Sequence, residues 1–355
     1  KLSRHSRHDR VGRLPVVQVV VLTMDRVDSL TRLIRSLELA DYTAAYTHRK
    51  KARVHLLFSV DAFGSLGNGS VPVEKQKSQE SVLHLIETMD WTHGVKSVQQ
   101  HFNNAGLASS WLEASVDQSA DFIVILEDDM EVSPAWYSFV LEAYQANITS
   151  VPGFANLCLH PLVPSRLNSD EKCSELSAFS KWHFACSWGP VWKIDRWMEF
   201  VRWARLLHGQ NLKPYLPGWV SEADTFNQWL DRGMDVQSAW TKRWLVQSQH
   251  YTVVYDVAGC KIGNQTAVKE GSFYAVNHKE VGLHYPKKSN YNTQETLLAD
   301  GDIFSRTKEA LFGLKRERDA RGDLPVERGT SRDDHHSSNF DWAKFNLERN
   351  HSQVG

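Results

Sequence analysis

No run of residues approaches the roughly 20 consecutive apolar positions that a membrane-spanning helix needs. The most apolar run, Leu14 to Met24, is short and is broken by Gln18. An excess of charge of one sign is also lacking. Lys plus Arg is 41 and Asp plus Glu is 42, a formal net charge of -1. That balance gives no global pull toward nucleic acid or an anionic membrane, so any phosphate has to be held by a local site. None of the four cysteines (Cys158, Cys173, Cys186, Cys260) stands in a CxxC pair, which argues against a zinc site. No internal repeat is present. Disorder of the whole chain is excluded by a hydrophobic content of 41% with 23% charged residues, enough for a sizeable core in 355 residues.

What is there begins with a basic, polar stretch, residues 1–15, expected to be a flexible stem; an anchor would lie upstream of it. Beyond about Leu314 the chain turns charged and loses apolar periodicity (KRERDARGDLPVERGTSRDDHHSS), so 315–355 is expected to be a disordered tail with a docking patch at Phe340 to Phe345. Between them, β-branched or uniformly apolar runs predict strands at Val17 to Thr23, Val54 to Val60, Lys96 to Phe102 and Phe122 to Leu126. Amphipathic stretches predict helices at Ser29 to Ala40, Ser81 to Thr88 and Leu107 to Ser119. This alternation predicts an α/β fold, a mostly parallel sheet covered on both faces. Further helices are expected from Pro134 to Ala146, Asp195 to Leu207 and Ser221 to Leu230, and a strand at Tyr251 to Val257. Phe154 to Trp192 reads as irregular. The domain organisation expected is a nucleotide-binding half, 16–135, and an acceptor-binding and catalytic half, 136–314.

Parallel sheets of this kind bind ligands beyond the carboxyl ends of their strands. Polar groups stand after each of the four: Asp25 and Arg26, then Asp61, then Asn103 and Asn104, then Glu127, Asp128 and Asp129. The last set, in FIVILEDDMEVSP, is the strongest signal. Three successive carboxylates closing a buried strand repel one another unless a cation or ligand donors balance them. Hard oxygen ligands suit Mn²⁺ or Mg²⁺, which commonly take one or two carboxylates plus substrate phosphates. No EF-hand spacing follows. A solvated acidic turn leading into the next helix is the plain alternative.

At these residues the sequence resembles nucleotide-sugar glycosyltransferases of the GT-A fold. ILEDDMEVSP is similar to their metal-binding "DXD" element, most of all in the β-1,2-N-acetylglucosaminyltransferase I group and its O-mannose relatives. VVVLTMDR supplies the Asp-Arg pair of that group's first strand and LLFSVDAFG its Ser-x-Asp. The likeness covers about Val16 to Pro134, is weaker from Phe184 to Leu230 and is absent from the tail. It implies that Asp129 binds the metal bridging a diphosphate. Asp128 would accept a ribose hydroxyl, Glu127 would touch the donor sugar and Asp61 would face the uracil or ribose. Arg26, beside Asp25, would hold a phosphate or the base edge. Asn104 and Gly106 in NNAGLASSW resemble a turn that brings backbone close to the nucleotide; a simple turn or helix cap is the alternative.

Two later segments add to the resemblance. GWVSEADTFNQWLDRGM is similar to the "GGEDDD…N-x-L…RGM" pattern of β-1,4-galactosyltransferases, and in that register Glu222 falls on the catalytic base; Asp224 is the second choice. Ala223 departs from the pattern. Ser221 could instead cap a helix that Glu222 and Asp224 merely favour electrostatically. VGLHYPKKSNY offers His284 as a metal ligand and Lys287 and Lys288 for the diphosphate. Trp188 and Trp219 could wall an acceptor pocket or pack in the core. Pairing Cys186 with Cys260 and Cys158 with Cys173 is one arrangement of the cysteines. With four Asn-x-Ser/Thr sequons, at Asn68, Asn147, Asn264 and Asn350, the cysteines lean toward a secretory lumen, expected to be the Golgi.

The expected activity is Mn²⁺-dependent transfer from a UDP-sugar, UDP-GlcNAc before UDP-galactose, to a hydroxyl of a glycan or glycoprotein acceptor, with inversion. A retaining transferase on the same fold and a catalytically idle glycan-binding module are the competing readings. No nucleic-acid partner is expected.

Overall fold

The computed structural model describes residues 14–43, 53–63, 71–145, 148–160, 179–220 and 222–255, and the backbone of three short strands beyond them. Strands β1 (Val16–Thr23), β2 (Arg53–Val60), β3 (Lys96–Gln100) and β4 (Phe122–Glu127) are mutually parallel in the order β3-β2-β1-β4. Helices α1 (Val27–Glu38), α2 (Val73–Thr88) and α3 (Gly106–Glu113) make the crossovers. Both faces of β1 are covered, which is why all eight of its residues are buried and its sequence shows no alternation.

The sheet continues past the fourth strand. After β5 (Met130–Val132) and α4 (Trp136–Gln145) come β6 (Phe154–Cys158), β7 (Phe179–Trp182) and β8 (Pro190–Lys193); after α5 (Ile194–Gly209), α6 (Ala223–Asp231) and α7 (Gln237–Ser248) comes β9 (Tyr251–Tyr255). The complete order is β3-β2-β1-β4-β8-β6-β9-β7. β8 runs antiparallel to β4 and β6, β9 parallel to β6, and β7 antiparallel to β9. Among the described residues, four of the seven ladders of this sheet are parallel. The short strands β10 (Lys261–Ile262) and β11 (Gln265–Thr266) pair with each other, and β12 (Ala275–Asn277) pairs antiparallel with β5.

Two apolar layers sandwich the sheet. Val17, Val19 and Val21 face α1, α2 and α4, meeting Leu30, Leu33, Leu37, Val82, Ile86, Trp136 and Val140. Val20, Leu22, Ile123 and Ile125 face α3, α5 and α7, meeting Trp111, Trp197, Phe200, Trp240 and Trp244. Each such aliphatic or aromatic side chain contributes roughly 1.5–3 kcal/mol of transfer free energy when buried. Several of the tryptophans are therefore core. Trp192 stacks on Phe200 with ring centroids 5.3 Å apart.

The expectation of an irregular 154–192 is corrected. Its described parts form three strands of the main sheet, too short for a period to register. α7 was not expected at all. Every residue from Ala239 to Val246 is buried, including Thr241, Lys242 and Arg243, so the helix has no polar face to mark its period. Arg243 survives there because its Nη1 donates to the carbonyls of Lys213 and Tyr215, at 3.2 and 3.1 Å. Burial pushes its pKa down to about 10.

Candidate active site

The parallel registers bring the carboxyl ends of the first four strands level. Thr23 lies opposite Val60, Leu22 opposite Glu127, and Val60 opposite Gln100. The segments that follow therefore emerge side by side. The Asp61 amide donates to the Thr23 carbonyl at 2.9 Å, and the Asp128 amide to the Leu22 carbonyl at 3.0 Å.

The three acids at the end of β4 point to different partners. Successive side chains of a strand point to opposite faces, and the chain turns after Glu127. Glu127 projects toward α3, where Trp111 Nε1 donates to its Oε1 at 3.3 Å. Asp128 points inward and is only 1% exposed; the Thr23 hydroxyl donates to its Oδ2 at 2.9 Å. Arg26, the last residue before α1, spans the remaining oxygens. Its Nη2 forms an ion pair with Asp128 Oδ1, and its Nη1 donates to Asp129 Oδ2 at 3.0 Å. Asp129 is nearly as buried, at 6%, while the Arg26 side chain is 44% exposed. Asp25 sits half-buried in the same turn.

Burial pushes the Glu127 carboxyl up to about 7, helped by the Asp129 charge and opposed by Trp111 and Arg26. Burial likewise raises Asp128, against the lowering pull of Arg26 and Thr23. For Arg26, burial alone would lower the pKa, but the two carboxylates together hold it above its ordinary value. The site is thus a pair of buried carboxylates partly compensated by one half-exposed guanidinium.

Asp61 faces its neighbours. Its Oδ1 accepts from the Ala62 and Ala105 amides at 2.8 and 2.9 Å, and its Oδ2 from the Ser110 hydroxyl at 3.2 Å. Asn104 Nδ2 donates to the Ala62 carbonyl at 2.9 Å. These bonds tie the β2 end to the loop before α3. Gly106 opens that helix at φ 73°, a left-handed conformation that side chains strain to adopt.

Glu222 and Asp224 lie elsewhere in the chain, on the connection between α5 and α7. β8 runs down to the amino end of β4, where the Ile194 amide meets the Asp121 carbonyl, and α5 climbs back from there. α7 descends again to β9, whose Tyr251 lies opposite Phe154. The connection from α5 to α7 carries Glu222 just ahead of α6. Glu222 precedes α6 with φ 67° and ψ 6°, left-handed for a residue with a Cβ, and makes no side-chain cap. Its carboxylate, 55% exposed, has Lys242 Nζ at 3.9 Å. Asp224 is exposed in the first turn of α6. Asn227, three residues further along α6, is buried. It accepts from the Leu216 amide and donates to the Leu216 carbonyl, both at 2.8 Å. It braces the loop ahead of Glu222.

Cys158 pairs with Cys186. That overturns the pairings Cys158–Cys173 and Cys186–Cys260: β6 and β8 are neighbours, and Cys158 lies opposite Pro190, so Cys186 is brought within reach by the sheet. Cys173 and Cys260 lie outside the described residues. Trp188 is half-buried with the His160 ring edge-on at 4.4 Å. Trp219 packs against the α6 cluster. His284, Lys287, Lys288, Ser221 and the asparagines of all four sequons lie outside the described residues.

Among the described residues no group of three His, Cys, Asp or Glu side chains could hold a metal. Asp128 and Asp129 offer two. They already carry a cationic group between them, and a hard divalent ion completing its shell with water and phosphate oxygens fits that donor set. Thr23, Trp111, Ser110 and Lys242 were missed by sequence reasoning. A hydroxyl ending an otherwise aliphatic strand was the signal available for Thr23.

No family model matches the chain, and no curated protein does. Solved structures match the chain at low identity and low TM-score. TarS 1-349 of S. aureus in complex with UDP-GlcNAc shares 12% identity at a TM-score of 0.33, over 71% of this chain and 60% of that one. The longer TarS structure matches over 29% of its own length. The mannosyltransferase PcManGT from Pyrobaculum calidifontis, in complex with GDP-Man and Mn²⁺, shares 12% identity at a TM-score of 0.38, over 88% of this chain and 77% of that one. At such scores any functional reading has to rest on the residues of this chain.

Proposed function

We propose that the chain is a glycosyltransferase that moves a sugar from a nucleoside-diphosphate donor to a hydroxyl of a glycan acceptor. The observation that carries this reading is the convergence, at the carboxyl ends of β1 and β4, of two desolvated carboxylates and one guanidinium. A diphosphate joined through a divalent cation is the ligand that such a mixed-charge pair suits. UDP-GlcNAc is the favoured donor and UDP-galactose the next, on the likeness of the acidic motif alone.

Asp129 would hold the cation, Mn²⁺ or Mg²⁺, which when bound supplies positive charge to the departing nucleoside diphosphate. Arg26 would contact the diphosphate. Asp61, together with Asn104 and Gly106, would shape the nucleoside loop. Glu222 would act as the general base. Its exposed carboxylate takes the proton from the acceptor hydroxyl, and that oxygen bonds to the anomeric carbon from the face opposite the leaving group. The bond to the diphosphate oxygen breaks with its electron pair, and the configuration inverts. Asp224, one residue beyond Ala223, is the second choice for the base. The Cys158–Cys186 disulfide supports an oxidising compartment such as the secretory lumen.

The test is thermal stabilisation by a panel of nucleotide sugars with and without Mn²⁺, followed by product analysis. A donor present at 100 times its Kd should add about 2.7 kcal/mol of apparent stability. Stabilisation by no nucleotide sugar would leave the idle-module reading in place. A product of retained configuration would remove the base from Glu222.

A further inference from the structure

Arg26 occupies the two carboxylates that the proposed function gives to a divalent cation and its neighbourhood. We infer that Arg26 is an exchangeable counter-ion. It satisfies Asp128 and Asp129 in the metal-free protein and transfers to the donor's diphosphate when the cation arrives, so that the site takes the cation and diphosphate together rather than the cation alone. This inference rests on the reading of the acid pair as a cation–diphosphate site.

Three features support the exchange. First, the guanidinium contacts both acids at once, Asp128 through Nη2 and Asp129 through Nη1 at 3.0 Å, so its positive charge and its donors stand where a second cation would have to enter. A divalent ion entering beside a seated guanidinium meets like charge at close range. Second, the three partners differ in freedom. Asp128 is 1% exposed and pinned by the Thr23 hydroxyl, whereas the Arg26 side chain is 44% exposed on the residue that caps α1. The acids stay where they are and the arginine is the part that can move. Third, a guanidinium pairs with a diphosphate as readily as with a carboxylate, in the same forked geometry. An arriving diphosphate thus gives Arg26 a new partner at the moment the cation takes the old ones. Cation and nucleotide then raise each other's affinity by the same factor, as linkage requires.

Isothermal titration of the full chain would measure the Kd of Mn²⁺ alone, UDP alone, and each with the other saturating. The wild type should bind Mn²⁺ alone weakly and show a coupling factor of tenfold or more, within the usual range of about 5–150-fold. Arg26→Ala should bind Mn²⁺ alone about fivefold or more tightly than the wild type, and its coupling factor should fall by at least as much. Arg26→Lys keeps the charge without the fork and should fall between the two; it carries the comparison if Arg26→Ala does not fold. Unchanged or weaker Mn²⁺ binding in the variants, with unchanged coupling, overturns the exchange while leaving the donor site intact. Failure of the wild type to bind Mn²⁺ with UDP overturns the proposed function itself.

Discussion

Glu222 is assigned both a catalytic carboxylate and a strained backbone, and the two can be separated with two substitutions. The residue sits at φ 67°, where an L-residue with a Cβ is disfavoured by about 1–2 kcal/mol. Glycine adopts that conformation without the clash, but a glycine also gives the unfolded chain more freedom, a cost of about 0.4–1 kcal/mol. The carboxylate is a separate matter, since it lies 3.9 Å from the ammonium of buried Lys242. Glu222→Gln removes that charge and keeps the strain. Glu222→Gly removes both, so the loss of the Lys242 contact is common to the two variants. Their difference isolates the backbone. Glu222→Gly should be at least as stable as Glu222→Gln, by up to about 1.6 kcal/mol, read by urea denaturation. Both should lose sugar transfer by about 10²–10⁴-fold, the usual contribution of a general base, while still binding Mn²⁺ and UDP. Stability and activity moving apart in this way is the mark of strain retained for function. If Glu222→Gly is less stable than Glu222→Gln, the left-handed backbone is not a source of strain. If Glu222→Gln transfers sugar within a few-fold of wild type, the base is another group.

Two further outcomes follow from buried polar groups around that loop. Asn227→Ala deletes both bonds to Leu216 and leaves a buried backbone amide and carbonyl unsatisfied, so stability should fall by about 2–4 kcal/mol in urea titration; a loss below about 0.5 kcal/mol would mean that water replaces the amide. His183 is stacked on Tyr251 at 4.6 Å, and burial, helped by the Lys242 charge, pushes its pKa down from 6.5 to about 3. In that interval the unfolded chain binds a proton that the folded chain does not. The stability this provides is therefore complete above pH 6.5 and is lost as pH falls toward 3. His183→Phe keeps the stack and removes the titration, so between pH 6 and 4 wild type should lose up to about 1.4 kcal/mol per pH unit more than the variant. Parallel pH profiles would refute the neutral, desolvated imidazole.

The first half of the molecule was legible because its signals are local. β1 and β4 are apolar along most of their length, as strands covered on both faces must be, and α1 repeats leucine and isoleucine at helical spacing. The acids after β4 are conspicuous because nothing in a buried strand accounts for them. The second half is legible in places. Helices α5 and α6 keep an amphipathic face. α7 buries its arginine and lysine along with its tryptophans, and so looks like neither a surface helix nor a core one. β6 and β8 are too short to show a period, and they become strands because β4 and β9 offer them ladders.

The sequence by itself determined an α/β sheet, the polar turns at its carboxyl edge and the run of acids that closes β4, because hydrophobic periodicity and residue chemistry act within a few residues of each other. The tertiary structure alone decided that Glu127 turns away to Trp111, that Arg26 closes over Asp128 and Asp129, that Asp61 braces the loop before α3, and that Cys158 meets Cys186. Each of those is a contact between segments far apart in the chain, and which contact forms depends on strand order and register, which no short stretch of residues encodes.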